Sequence, residues 1–91
     1  MNPPAPPYLV ITFPSTHAAL KFDSVFRAYG TAQLVPVPRA LSSSCGLAAR
    51  LPDQDAAQLV AALTALGVEY EEIHRLQPGA KPCCLVAAPD R

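Results

Sequence analysis

Three cysteines are the side chains of this chain best suited to covalent chemistry. Cys45 stands between a serine run and a glycine, in Ser42-Ser43-Ser44-Cys45-Gly46, and the other two are adjacent, Cys83-Cys84. The nucleophilic form of cysteine is the thiolate, which a helix N-terminus or a nearby cation favours over the thiol. Two stretches can supply that environment. Pro14-Ser15-Thr16-His17 opens a helical pattern, and Arg39 precedes the serine run. Backbone N–H groups around Ser15, Thr16 and His17 can receive a thiolate, a persulfide or a small oxyanion. His17 can accept a proton, Arg39 can hold an anionic partner, and Ser44 and Gly46 flank the sulfur, with Gly46 allowing close approach. Each has a plainer reading. A cysteine entering a strand is often a small buried apolar residue. His17 can be an ordinary surface residue of a first helical turn, Arg39 a solvated hairpin charge, and the serines turn chemistry. Cys83 and Cys84 can form a strained disulfide, bind a soft metal, resolve an intermediate on Cys45, or do nothing specific.

Whether these residues meet depends on the elements that carry them. Residues 8–13, Tyr-Leu-Val-Ile-Thr-Phe, are an apolar, β-branched run fit for a central strand. Pro14 ends it, and Ser15 or Thr16 caps a helix with apolar positions Ala18, Phe22, Val25, Phe26 and Tyr29, closed by Gly30 in a left-handed turn. Residues 32–38 read as a second strand. Pro36 and Pro38 remove donors from one side of it, which only an edge tolerates. Cys45 to Leu51 returns as its antiparallel partner. Asp53 caps a second helix with the stripe Ala56, Leu59, Val60, Leu63 and Leu66, ended by Gly67. Val68 to Leu76 is a last strand, whose Glu69, Glu71 and Glu72 suit an exposed edge.

The order strand, helix, strand, strand, helix, strand predicts an α+β, ferredoxin-like sandwich: a four-stranded antiparallel sheet of order 4-1-3-2 with two helices on one face. That topology brings the loop after the first strand and the hairpin after the second to the same end of the sheet. Cys45 should therefore sit exposed between the first helix N-terminus and basic groups. The organisation expected is a flexible proline-rich stretch at 1–7, one thiol-presenting domain at 8–76, and a mobile tail at 77–91.

Composition narrows the classes. A chain of 91 residues fits one domain and leaves little room for an enclosed active site. Seven basic residues balance seven acidic ones without a patch, which disfavours nucleic acid. The third strand also lacks the aromatic residues of sheet-face RNA binders. No apolar run is long enough for a membrane span, and residues 1–7 do not read as a secretion signal, so a cytoplasmic location is the default. There is no carboxylate pair, phosphate loop or serine triad. Cys45, His17 and His74 lack zinc-ligand spacing, so neither metal nor cofactor is expected. Apolar content and two sheet edges suit a homodimer.

Phe13-Pro14-Ser15-Thr16-His17-Ala18-Ala19-Leu20, Val35-Pro36-Val37-Pro38-Arg39 and Ser42-Ser43-Ser44-Cys45-Gly46-Leu47-Ala48 together resemble DUF3343, a small bacterial family of selenium/sulfur carrier-like proteins. The resemblance covers roughly residues 8–74. It implies a carrier in which Cys45 accepts and donates sulfur or selenium as a persulfide or selenopersulfide, between a donor and an acceptor protein, without being a stand-alone enzyme. Asp23 stands where the resemblance leads one to expect glutamate, and the two-cysteine tail lies outside it. The alternative is a non-catalytic interaction or small-ligand domain in which Cys45 packs.

Overall fold

In the computed structural model of the protein, which describes residues 7–39, 41 and 44–87, β1 (Tyr8–Thr12) forms the middle of the sheet. It pairs antiparallel with β3 (Leu47–Pro52) on one side and β4 (Glu72–Leu76) on the other. Side chains alternate along a strand, so this register divides the residues cleanly. Leu9, Ile11, Ala49, Leu51 and Ile73 face the helices and are buried there. Val10, Thr12 and Ala48 point to the other face and are also fully buried, Val10 being flanked in register by Arg50 and His74.

Helix α1 (Thr16–Val25) starts where Pro14 stops β1. Ser15 is its N-cap, its Oγ accepting the Ala18 N–H at 3.1 Å. Ala18, Ala19 and Phe22 turn inward, and the Phe22 ring packs on Phe13 at 5.5 Å and on Phe26 at 4.7 Å between centroids. The left-handed ending expected at Gly30 is absent. The chain instead tightens into a 3-10 turn, Phe26–Ala28, and the Tyr29 and Gly30 N–H groups both donate to the Phe26 carbonyl. That arrangement closes the helix end without a residue at positive φ.

Strand β2 (Gln33–Pro36), shorter than the expected 32–38 and leaving Pro38 beyond its end, lies on the edge beside β3, as Pro36 requires. Helix α2 (Ala56–Leu66) buries Leu59 and Leu63 against the same face of the sheet as α1. Its cap is Asp55, whose Oδ1 accepts the Ala57 N–H at 2.8 Å, and not Asp53. β3 runs through Pro52, so the helix starts later than expected, and Asp53 instead pairs with Arg75 at 3.0 Å. Gly67 ends α2 in the left-handed region at φ 70°, as expected.

Among the described residues the sheet has five strands, ordered β2-β3-β1-β4-β5, instead of four ordered 4-1-3-2. β5 (Cys83–Ala87) comes from the stretch expected to lie outside the domain, and it pairs antiparallel with β4. β4 is therefore interior, and its glutamates do not guard an edge. It is also shorter than the expected 68–76. Val68 and Tyr70 are buried, and Val68 donates to the Leu63 carbonyl, finishing α2 before the strand begins. The architecture is α+β and roughly ferredoxin-like, with a fifth strand on one side.

Candidate functional site

β3 runs antiparallel to β1, with Ala48 opposite Thr12, so the residues just before β3 arrive beside the end of β1 and the start of α1. The same end receives β4, because the Glu71 N–H donates to the Thr12 carbonyl at 2.7 Å. Thr12 Oγ1 also accepts the Glu72 N–H at 3.1 Å. Three segments distant in sequence thus converge around Cys45.

The sulfur itself has polar neighbours. Cys45 Sγ accepts the Leu47 N–H at 3.3 Å, and Thr16 Oγ1 lies 3.6 Å away, where either atom can be the donor. The expected meeting of the serine-rich turn with the first turn of α1 is therefore present. The expected exposure of the thiol is not. Cys45 is 5% exposed and belongs to the buried cluster with Phe13, Ala18 and Tyr70. Leu47 opens β3 opposite Pro36, so Cys45 precedes the strand, and its side chain joins the core with residues of β1, α1 and the segment before β4. Gly46, the next residue, is exposed, and a Cβ there would meet nothing within 4 Å.

The supporting residues divide. Thr16 touches the sulfur. Ser15 is committed to capping α1. Ser44 faces Glu71, whose carboxylate accepts its N–H at 3.1 Å and its hydroxyl at 2.7 Å. His17 and Arg39 lie on the surface. Ala40, Ser42 and Ser43 lie outside the described residues, as do 1–6 and 88–91. A charged group that Ser44 holds against this loop is an anion, Glu71, where a cation was expected. Sequence reasoning missed Glu71 by assigning it to an edge. The available signal was the alternation of Val68 and Tyr70 with Glu69 and Glu71, and a serine run whose N–H and hydroxyl donors need an acceptor.

Cys83 and Cys84 are exposed on β5, and among the described residues none of the three cysteines is in a disulfide. Cys84 stands opposite His74, on the sheet face away from the helices, so it does not approach Cys45 from the helix side. Burial, and then the Glu72 carboxylate, push the Cys84 thiol pKa up from its ordinary value. Among the described residues no helix is long and apolar enough to cross a membrane.

No curated protein and no solved structure matches the chain. A family model does, over residues 8–75, and its span takes in Cys45, Thr16, Glu71 and all elements except β5 and the last residue of β4. That family is described as "Putative Se/S carrier protein-like", and with most of its length matched the chain belongs to it.

Proposed function

We propose that the protein carries sulfur or selenium on Cys45, taking it from a donor protein as a persulfide or selenopersulfide and passing it to an acceptor. The observation that supports this most is the polar environment of Cys45 Sγ beside the N-terminus of α1: the Leu47 N–H donates to it, and the Thr16 hydroxyl lies 3.6 Å away, able to donate once the sulfur is a thiolate. These are groups suited to an anionic sulfur. In the transfer, the Cys45 thiolate attacks the terminal sulfur of the donor's persulfide. A bond forms between Sγ and that sulfur, the donor's S–S bond breaks, and the donor leaves as a thiolate. The second transfer repeats the step with Cys45 as donor, so no outside oxidant or reductant is consumed. Burial of Sγ keeps the bound sulfur from stray thiols, and the turn carrying exposed Gly46 must move for donor and acceptor to reach it. His17 and Arg39, both exposed, serve in this reading as docking groups for the partner proteins.

A second reading is favoured by one observation: Cys45 is buried among apolar side chains, as a packing residue is. The two readings separate by mass spectrometry of protein incubated with a cysteine desulfurase and cysteine, or with a selenopersulfide donor. Carriage requires one added sulfur or selenium on wild type and none at this site in Cys45→Ser. A packing role gives equal labelling of both.

A further inference from the structure

Two of the protein's metal-ligating side chains are adjacent on one strand face. Glu72 and His74 are two residues apart on β4, so both point away from the helices. Cys84 on β5 is the direct cross-strand partner of His74, and an irregularity in the pairing between Ile73 and His74 sets that register. One ligand atom from each of the three lies within 4.8 Å of the other two. His74 Nε2 already stands 2.9 Å from Glu72 Oε1.

We infer that Glu72, His74 and Cys84 form a binding site for a borderline divalent cation of the zinc class. Thiolate sulfur, imidazole nitrogen and carboxylate oxygen are together the donor set such a cation takes, whereas magnesium and calcium require oxygen alone. Tetrahedral coordination at ordinary zinc distances separates ligand atoms by roughly 3.3–3.6 Å. Closing from 4.8 Å needs only rotation of the exposed Cys84 and of Glu72, whose side chain is 43% exposed. Three protein ligands leave the fourth position to solvent.

The condition of His74 is the second, independent observation. Its side chain is only 10% exposed, and Nδ1 is buried without a hydrogen-bond partner among the described residues. A buried imidazole is ordinarily satisfied at both nitrogens. Here the protein meets the need of one nitrogen only: the Glu72 carboxylate can only accept, so in the neutral ring the proton of this contact sits on Nε2. A cation between Glu72 and Cys84 takes the place of that proton on Nε2, and the ring proton moves to Nδ1. Binding displaces the Cys84 thiol proton to solvent.

The site is separate from Cys45. It lies on the opposite sheet face, and Cys84 falls outside the residues matched to the family. The proposal departs from the expectation of no metal, which weighed Cys45, His17 and His74 by spacing; these three ligands are brought together by strand pairing, and no local spacing announces them.

Cobalt(II) titration of the reduced, metal-stripped full chain tests this. The wild type should show visible bands of tetrahedral cobalt and an ultraviolet thiolate charge-transfer band. Both should vanish in Cys84→Ser, whose exposed position leaves folding intact, and persist in Cys83→Ser and Cys45→Ser. Competition with a chromophoric chelator should show zinc affinity in Cys84→Ser reduced by more than the ~10–100-fold that loss of an outer-shell partner costs. His74→Gln should behave like Cys84→Ser if it folds. Octahedral cobalt alone in the wild type overturns the site, as does a charge-transfer band that survives Cys84→Ser or is lost in Cys45→Ser.

Discussion

Thr16 and Cys45 are 29 residues apart in the chain, yet Oγ1 of one lies 3.6 Å from Sγ of the other. The contact exists because β1 delivers the chain directly into α1, while antiparallel β3 begins at the same end of the sheet. It gives the sulfur a side-chain hydroxyl in addition to the Leu47 N–H. Replacing that hydroxyl by a methyl group of similar shape isolates its contribution.

Thr16→Val should keep the fold, since Ser15 and not Thr16 caps the helix. Loss of one hydrogen bond to the reacting sulfur is worth about 0.5–1.5 kcal/mol, so persulfide transfer to Cys45 should slow roughly two- to tenfold. Stopped-flow transfer kinetics with matched urea melts measure both. An unchanged rate would remove Thr16 from the mechanism.

Glu71→Ala should loosen the segment at Ser44 that leads into Cys45. Its carboxylate holds the Ser44 N–H and hydroxyl, both exposed to solvent, so the stability cost is modest, about 1 kcal/mol. The larger effect is on access. Alkylation of Cys45 should become several-fold faster, read by peptide mass spectrometry. If alkylation keeps its wild-type rate, the Ser44–Glu71 contact does not control the opening.

Cys84 should titrate late. Burial, and then Glu72, raise its pKa, so at neutral pH less of it is thiolate than in an ordinary thiol. In metal-stripped protein its alkylation should rise at higher pH than in an unfolded control, and Glu72→Gln should shift the profile down in pH. A raised folded pKa contributes stability below the unfolded value and loses it as pH climbs through the folded one. Stability should accordingly decline slightly on the alkaline side. Coincident profiles in folded and unfolded chain would contradict this.

Gly67→Ala should destabilise by about 1–2 kcal/mol, because an L side chain is strained in the left-handed region that Gly67 occupies at φ 70°. The new Cβ would also stand 3.4 Å from Lys21 Nζ, which donates to the Gly67 carbonyl at 3.0 Å. Thermal or urea unfolding measures the loss. Gly46→Ala is the control and should cost little, since no neighbour lies near its Cβ position.

Much of the framework was readable from residue patterns. The β-branched run at 8–13, the proline-bearing edge β2 and the helix stripes led to the neighbour relations of β1 to β4 and to both helices on one face. β5 was not anticipated, because Cys-Cys-Leu-Val-Ala is short and sits among prolines. Its signal was Gln77-Pro78-Gly79-Ala80. Pro and Gly occupy the two central turn positions, Gly79 has φ 75°, and the Ala80 N–H donates to the Gln77 carbonyl at 3.3 Å. The meeting of Thr16 with Cys45 followed from topology. The depth of Cys45 did not, since connectivity says which end of a sheet a residue reaches and not how far beneath the surface its side chain points. Glu71 and His74 escaped for a related reason. Their roles come from cross-strand neighbours, and no periodicity within one segment encodes those.

The carrier role of Cys45 is tested most directly in a chain with Cys83→Ser and Cys84→Ser, where Cys45 is the one remaining thiol. Loaded with isotope-labelled sulfur from a persulfide donor and then mixed with an acceptor thiol, this variant should gain one labelled atom on the Cys45 peptide and pass it to the acceptor. A variant that stays folded, yet never acquires label on Cys45, contradicts the account.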